Sequence, residues 1–200
     1  MTGLLQRDDA LRALRDGGVI GVATDTVYGV AASLAHPTAV ATLFALKRRP
    51  TSVALPILAD SVASIEQLGV TWEPRARRLS DALWPGALTI VVAVPRDLAV
   101  LIGGAGNSAG FRIPDDDDLR SFLRESGPLA VSSANEHGEA PSRNAGDVLR
   151  AFAERDGFRG VLDGGERGGE ASTVVVLEEN SWRVARAGPV DAVDLARYLD

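Results

Sequence analysis

Short apolar runs alternate along this chain with longer segments whose apolar residues recur at helical spacing, and this alternation restricts the fold more than any other feature. Strands are predicted at 19–23, 53–58, 88–94, 109–113, 129–133, 173–177 and 182–185. Helices are predicted at 4–16, 37–47, 60–68, 74–83, 115–124, 144–154 and 189–199. Strands that alternate with helices predict an α/β fold around one twisted sheet. The last two strands are too close for a crossover helix, so we expect a mixed sheet with parallel and antiparallel pairs.

The length and composition predict one domain over residues 1–200 and exclude several classes of site. The chain has no cysteine and two histidines, which excludes disulfides, thiolate zinc sites and a cysteine nucleophile, and disfavours a histidine metal cage. No apolar run reaches the roughly 18 residues of a membrane helix, and the first residues lack the apolar core of a secretion signal. We therefore expect a cytoplasmic protein. With a net charge of −6, any polyanion has to meet a local cluster of cations.

Polar side chains gather where three of the apolar runs end. Thr24, Asp25 and Thr26 follow the run at 19–23, and Ser132, Ser133 and Asn135 end or follow the run at 129–133. Ser172 and Thr173 stand at the start of the run at 173–177. Ligands of open α/β sheets tend to bind where strands end, although ordinary turn and cap chemistry is the more frequent reason for any one such segment taken alone.

The cations give a second candidate set. Lys47 is the single lysine among 21 basic residues, and it begins a Lys47-Arg48-Arg49 run that we expect at an exposed helix end. Arg112 and Arg186 each follow a predicted strand. If these cations converge they form a pocket for a triphosphate, which sequence spacing alone leaves open. The chain contains no GxxxxGK[ST] loop, no GxGxxG after a strand and no GxSxG elbow. The four aspartates at 115–118 are interpreted as a solvated helix start.

Seven short motifs, in this order and at this spacing, resemble the YrdC family. They are Thr24-Asp25-Thr26-Val27-Tyr28-Gly29, Lys47-Arg48-Arg49-Pro50, Trp84-Pro85-Gly86-Ala87-Leu88-Thr89, Arg112-Ile113-Pro114, Ser133-Ala134-Asn135, Ser172-Thr173-Val174 and Arg186-Ala187-Gly188. Each motif is weak alone, and together they span about residues 10 to 190. The resemblance implies a YrdC-like mixed sheet flanked by helices, with an open basic cleft.

The resemblance also implies an activity. Family members condense L-threonine, bicarbonate and ATP into threonylcarbamoyl-adenylate and pyrophosphate. A downstream complex then transfers the threonylcarbamoyl group to adenosine 37 of tRNAs that read ANN codons. Mg²⁺ is expected to arrive with ATP, with no metal cage built by the protein. The resemblance further admits direct contact with tRNA or double-stranded RNA, and no membrane partner.

Carried over by motif position, ten residues are expected to form the site. Contacts to threonine are implied for Thr26, Arg112, Ser133 and Ser172. Contacts to ATP are implied for Lys47, Arg49, Ser108, Asn135, Arg143 and Arg186. Lys47 and Arg49 are also expected to act in catalysis by neutralising phosphate charge, because such a transfer needs positioning and electrostatic stabilisation rather than a covalent nucleophile.

The sequence departs from the family pattern at several positions. Ala23 replaces a proline, and Val53-Ala54 replace a polar residue followed by proline, which removes one nucleotide contact. Arg143 replaces a small hydroxyl residue and is expected to add a phosphate contact.

Two alternatives stay open. One is a non-catalytic member of the superfamily that binds double-stranded RNA or tRNA, against which the net charge and the ten aromatic residues argue mildly. The other is a carbamoyl-adenylate-forming relative from hydrogenase maturation. Those chains carry acylphosphatase and zinc-finger modules, for which this chain lacks the length and the cysteines.

Overall fold

The computed structural model describes residues 2–135 and 140–199, and in this part of the chain ten strands form one mixed sheet. The strands are β1 Gly3–Leu5, β2 Val19–Ala23, β3 Tyr28–Ser33, β4 Ile57–Leu58, β5 Leu88–Ala93, β6 Ser108–Arg112, β7 Leu129–Ser133, β8 Phe158–Leu162, β9 Thr173–Leu177 and β10 Trp182–Arg186. Their order across the sheet is β1-β8-β2-β3-β7-β4-β6-β5-β9-β10. Four neighbouring pairs are parallel and the other five are antiparallel, which confirms the predicted mixed sheet.

Helices cover both faces of the sheet. They are α1 Arg7–Arg15, α2 Pro37–Lys47, α3 Val62–Glu66, α4 Pro74–Leu83, α5 Arg96–Ile102, α6 Asp117–Ser126, α7 Ala145–Phe152 and α8 Ala192–Leu199. Several begin as their sequences predict: α2 and α4 carry proline in the first turn, and Asp116 caps α6 by accepting a hydrogen bond from the Leu119 amide at 2.9 Å.

The two faces of the sheet bury separate cores, because successive residues of a strand point to opposite sides. On one face, α1 and α6 pack against alternate residues of β2, β3 and β7, including Ile20, Val22 and Ala31. The other six helices contribute to the larger core on the opposite face. Since α1 and α6 cover only part of their face, the face is left open over β5, β6 and β9.

Four differences from the predicted elements have simple causes. Leu4 and Leu5 belong to the edge strand β1, where Gly3 lies opposite Gly160 of β8, rather than to the first helix. The predicted strand at 53–58 is reduced to the two residues of β4. Strands β3 and β8 were not predicted, because their glycines and alanines weaken the apolar pattern. Helix α5 was also not predicted, because its short apolar segment continues directly from the preceding strand.

Candidate active site

A cavity of about 310 Å³ lies over the open face of the sheet. Every second residue of two strands lines it, because alternate residues of a strand point to the same face of a sheet. These residues are Ser108, Gly110 and Arg112 of β6 and Thr89 and Val91 of β5. Gly110 leaves room here, because a β-carbon at this position would approach Thr89 Cγ2 to 2.8 Å. We expected the site where strands end. The cavity also extends across one face of the sheet.

The strand registers explain how distant residues meet. Ser133 ends β7 at one edge of the sheet, whereas Arg112 ends β6 at the opposite edge. Arg112 Nη1 nevertheless donates to Thr26 Oγ1, next to the Ser133 edge, at 2.9 Å. The turn that carries Thr26 and the long side chain of Arg112 therefore meet at the cavity, which both residues line.

Seven of the ten residues expected at the site line this one cavity. They are Thr26, Arg49, Ser108, Arg112, Ser133, Ser172 and Arg186. Of the other three, Asn135 and Arg143 line a neighbouring cavity. Lys47 is not among the lining residues of either cavity and donates to Asn135.

Arg112 is held on three sides before any ligand is present. Its Nη2 donates to both carboxylate oxygens of Asp25 at 2.7 Å, and its Nε donates to the Gly86 carbonyl at 2.9 Å. Burial lowers the pKa of Arg112, and the charge and hydrogen bond of Asp25 oppose this shift. The guanidinium therefore has a fixed orientation, with one Nη1–H beyond these contacts and the bond to Thr26.

The hydroxyl groups of Thr24 and Thr26 form a chain with a defined direction. Thr24 Oγ1 donates its single proton to the Val27 carbonyl at 2.7 Å. The bond of 2.9 Å between Thr24 Oγ1 and Thr26 Oγ1 must then be donated by Thr26. Since Thr26 Oγ1 already accepts from Arg112, it presents to a ligand a lone pair and not a proton.

Ser133 is connected through Asn135 to Lys47. Ser133 Oγ donates to Asn135 Oδ1 at 2.6 Å, and Lys47 Nζ donates to the same oxygen at 3.1 Å and to the Asn135 carbonyl. Ser133 therefore also presents a lone pair to the cavity. The expectation of an exposed Lys47 is wrong: the residue is only 7% exposed, because α2 packs its last turn against the sheet.

Ser172 has two further partners at the other side of the cavity. Its hydroxyl lies 2.8 Å from Thr89 Oγ1 and accepts from Arg186 Nη2 at 3.1 Å. Arg186 Nε and Nη2 also donate to the Ser172 carbonyl, at 3.0 and 2.7 Å. An arginine expected on the ATP side thus directly supports a serine expected on the threonine side.

The three arginines of the cavity raise its positive potential. The pKa of Arg49 is lowered by burial and then by the charge of Arg186, and the pKa of Arg186 is lowered by burial and then by the charge of Arg112. No aspartate or glutamate of the described residues lines the cavity itself. Asp25 does not line the cavity but pairs with Arg112 and so compensates one of the three positive charges. An anion bound here would relieve the mutual repulsion.

A second cavity lies next to the first, and Asn135 is part of its lining. Arg143, Asp147 and Arg150 also line it, and Arg143 and Arg150 are exposed to solvent. Arg150 pairs with Asp147. The arginines of this cavity are therefore more exposed than Arg112 of the first.

Four polar residues outside the ten expected ones lie in the cavity or support it. Thr24, Thr89 and Ser132 line the cavity, and Asp25 holds Arg112. Thr24, Asp25 and Ser132 belong to the polar groups expected at strand ends, whereas Thr89 was named only within a motif. The available signal for Thr89 was its alternation with the buried residues Leu88 and Ile90, which places it on the opposite face of β5.

Two features are absent from the described residues. Residues 2–135 and 140–199 contain no group of three or more His, Cys, Asp or Glu side chains that could hold a metal ion. Within the same ranges, no helix has the length and apolar character needed to cross a membrane.

Comparisons with known proteins agree with these observations. The family model Sua5_yciO_yrdC, described as "Telomere recombination", matches residues 12–188. The chain is 38% identical over 192 residues to the Mycobacterium leprae "Putative threonylcarbamoyl-AMP synthase", covering 95% of this chain and 86% of the relative. It is 30% identical over 184 residues to the Bacillus subtilis "Threonylcarbamoyl-AMP synthase", covering 90% of this chain and 53% of that protein.

A solved structure shares the fold. The structure titled "Crystal structure of P. abyssi Sua5 complexed with L-threonine" superposes with a TM-score of 0.88 at 26% identity. The match covers 99% of this chain and 60% of the solved chain. This chain therefore spans somewhat more than half the length of that structure.

Proposed function

The chain belongs to the Sua5/YciO/YrdC family, and from this we propose that it is an L-threonylcarbamoyladenylate synthase. Its substrates are L-threonine, bicarbonate or CO₂, and ATP, and its products are threonylcarbamoyl-AMP and pyrophosphate. This makes it a nucleotidyltransferase that serves tRNA modification.

One observation carries the proposal: a single cavity combines fixed cations with hydroxyls that act as acceptors. Arg112 offers a remaining N–H to a carboxylate, while Thr26 and Ser133 offer lone pairs to an ammonium or hydroxyl group. This set complements threonine, which carries a carboxylate, an amine and a hydroxyl. Arg49 and Arg186 lie in the same cavity and complement phosphate.

The reaction needs positioning and charge neutralisation. The amine nitrogen of threonine bonds to the carbon of CO₂ with loss of a proton, or to the carbon of bicarbonate with loss of water, to give a carbamate. A carbamate oxygen then attacks the α-phosphorus of ATP, the bond to the bridging oxygen breaks, and pyrophosphate leaves. Negative charge grows on the phosphate oxygens, and Arg49, Arg186 and Lys47 stabilise it. Because the cavity arginines are held before binding, little reorganisation opposes the step.

Mg²⁺ is proposed as a substrate-borne ion. The donor set fits this assignment, because Asp25, a carboxylate next to the cavity, already accepts two hydrogen bonds from Arg112. The phosphate oxygens of ATP supply the ligands that Mg²⁺ prefers, with water completing the shell. When bound, the ion adds charge neutralisation on the triphosphate.

The two cavities together support the proposal of an open basic cleft. Threonine occupies the first cavity, and the nucleotide extends from Arg49 and Arg186 towards Asn135 and Arg143. The product passes to a separate tRNA threonylcarbamoyl-transfer complex, and direct contact with tRNA or double-stranded RNA belongs to the same proposal. A cytoplasmic location follows from these partners.

Product formation tests the proposal. The purified protein is incubated with labelled L-threonine, bicarbonate, ATP and Mg²⁺, and the adenylate and pyrophosphate are separated and counted. We expect both products in equal amounts, and neither when any one substrate is omitted. Pyrophosphate release without threonine would contradict the proposal, and so would RNA binding with no product.

A further inference from the structure

A glycine-rich segment packs against the turn that carries Thr26 and leads into Ser172. We name residues 163–171 the strap; it begins after β8 and leads directly into Ser172. Its first residues are fixed by Tyr28, whose Oη lies 2.7 Å from Asp163 Oδ1 and accepts from the Gly164 amide at 3.1 Å. Tyr28 is fully buried, so this end of the strap has a firm anchor.

The far end of the strap lies directly on the Thr26 turn. The Gly169 amide donates to the Thr26 carbonyl at 3.1 Å. A β-carbon on Gly169 would come within 2.9 Å of both Thr26 Cα and Thr26 O, so only glycine permits this approach. Two residues later the strap lines the cavity at Ala171. A shift of the strap would therefore move Ser172 and release Thr26 together.

Arg167 holds the middle of the strap. Its backbone amide donates to the Arg143 carbonyl at 2.7 Å, and its Nη2 lies 3.0 Å from Asp116 Oδ2. The two side chains of this ion pair are 23% and 12% exposed, so solvent screens the pair less than it screens the surface pairs of this chain. Asp116, which also caps α6, thus has a partner that the aspartate run alone did not reveal.

The ion pair is made by one end of the guanidinium. Within the part of the chain that the structure describes, the buried Nε of Arg167 has no hydrogen-bond partner. The contact to Asp116 is therefore a charge–charge contact and not a bidentate pair. A lysine could replace the charge, whereas an uncharged side chain could not.

We propose that Arg167 is a positioning residue, which through Asp116 holds the strap against the Thr26 turn and so sets the positions of Thr26 and Ser172. The proposal rests on the proposed function only in naming threonine as the ligand that responds. Arg167 itself lines neither cavity. Nothing in the seven family motifs includes it.

The pair offers a matched set of variants. Arg167→Met removes the charge and keeps most of the length, while Arg167→Lys restores the charge. Asp116→Asn removes the acceptor charge but keeps the cap of α6, because asparagine and aspartate cap helices about equally well. Arg77→Met is the control, since Arg77 of α4 pairs with Glu66 of α3 at 2.7 Å and neither residue belongs to the strap.

Two measurements on each full-length variant test the inference. Hydrogen exchange reports the Gly169 amide directly, and we expect it to exchange about tenfold faster in Arg167→Met and Asp116→Asn than in the unchanged protein. Calorimetric titration with L-threonine should show an affinity about tenfold weaker in the same two variants, with ATP affinity changed less. Arg167→Lys should recover most of both losses, and Arg77→Met should show neither.

The two readouts separate the possible failures. Gly169 exchange that stays unchanged in Arg167→Met and Asp116→Asn would overturn the inference, whatever the enzyme does. Faster exchange with unchanged threonine affinity would overturn the link from the strap to the site. If the unchanged protein binds no threonine, the proposed function fails, while the exchange data still decide whether Arg167 holds the strap.

Discussion

The two neighbouring cavities differ in how their polar side chains are held. In the first, Thr26 is 4% exposed and Arg112 is 5% exposed, and both are fixed by hydrogen bonds to other residues of the site. In the second, Arg143 and Arg150 are exposed, and Arg150 pairs with Asp147 of its own helix. Thr26 and Arg112 are therefore held in place by the protein itself, whereas the exposed arginines of the second cavity are free to adjust to a ligand.

This difference predicts which ligand depends more on the structure of the free protein. Threonine is small and has to be distinguished from similar amino acids, so a rigid site with directed hydroxyls suits it. A nucleotide offers many oxygens and tolerates adaptable partners. Substitutions in the first cavity should therefore affect folding and binding together, and those in the second should affect binding alone.

The largest effect is expected for Arg112→Ala. The change leaves the buried Asp25 carboxylate without its partner, and breaking such a pair costs about 3–5 kcal/mol of unfolding free energy. Threonine affinity should fall by about ten- to a hundredfold, and ATP affinity much less. Urea denaturation and calorimetry measure the two effects. The double variant Asp25→Asn/Arg112→Ala should recover part of the stability; if it is no more stable than Arg112→Ala, the pair is not what holds this region.

Lys47→Ala comes next and corrects our expectation from the sequence. Since Lys47 is buried and donates to Asn135, its removal should cost about 1–3 kcal/mol as well as abolish turnover. Lys47→Arg should also be impaired, because a guanidinium does not fit a site shaped for an ammonium. Thermal unfolding and the product assay are the measurements. Arg48→Asn, at the adjacent exposed position with a φ of 47°, is the control and should stay active. Full activity of both Lys47 variants would exclude Lys47 from the reaction.

Arg186→Ala tests the border between the two ligands. Its loss should weaken ATP binding by about tenfold, as expected for one charge-assisted contact. Because Arg186 also donates to the Ser172 carbonyl and hydroxyl, a smaller loss for threonine should accompany it. Calorimetry with each ligand measures the ratio. Equal losses for both ligands in Arg186→Ala and in Arg112→Ala would contradict the division of roles.

Tyr28→Phe tests, through the pH dependence of stability, how firmly the residues around the first cavity are held. Burial raises the pKa of Tyr28 to about 12 from 10.0. The unfolded chain thus loses this proton at lower pH than the folded protein, so the stabilising effect is complete below about pH 10 and is lost as the pH rises towards 12. Tyr28→Phe should lose about 1 kcal/mol at neutral pH from the broken hydrogen bonds. Denaturation midpoints from pH 9 to 12 should fall less steeply in the variant, and identical slopes would show that Tyr28 does not titrate as described.

Arg143→Ser, in the exposed region, should have the smallest effect. An exposed ionic contact is worth about 0.2–1 kcal/mol, so the KM for ATP should rise no more than about fivefold. Threonine affinity and thermal stability should not change. Steady-state kinetics at low and high salt check this, because screening should reduce the difference. A large loss of stability would mean that Arg143 supports the fold, and that the two cavities do not differ in how their polar side chains are held.

The same contrast explains what could be predicted from the sequence. The alternation of apolar runs predicts the mixed sheet, and the motif order identifies the residues that meet in the first cavity. The direction of the Thr24–Thr26 hydroxyl chain could not be predicted, since it depends on a carbonyl three residues away in a folded turn. The burial of Lys47 also could not, because a helix end shows its environment only once the helix is packed. The partner of Arg167 lies 51 positions away by residue number, at a distance that no local pattern encodes.

A crystal structure of the protein with L-threonine and a non-hydrolysable ATP analogue would show where each substrate binds. We expect threonine in the first cavity, with its carboxylate on Arg112 and its amine or hydroxyl donating to Thr26 or Ser133. We also expect phosphates between Arg49 and Arg186, with the nucleotide extending towards Asn135 and Arg143. Threonine bound outside the first cavity, or a nucleotide that fills the first cavity and excludes threonine, would contradict this assignment.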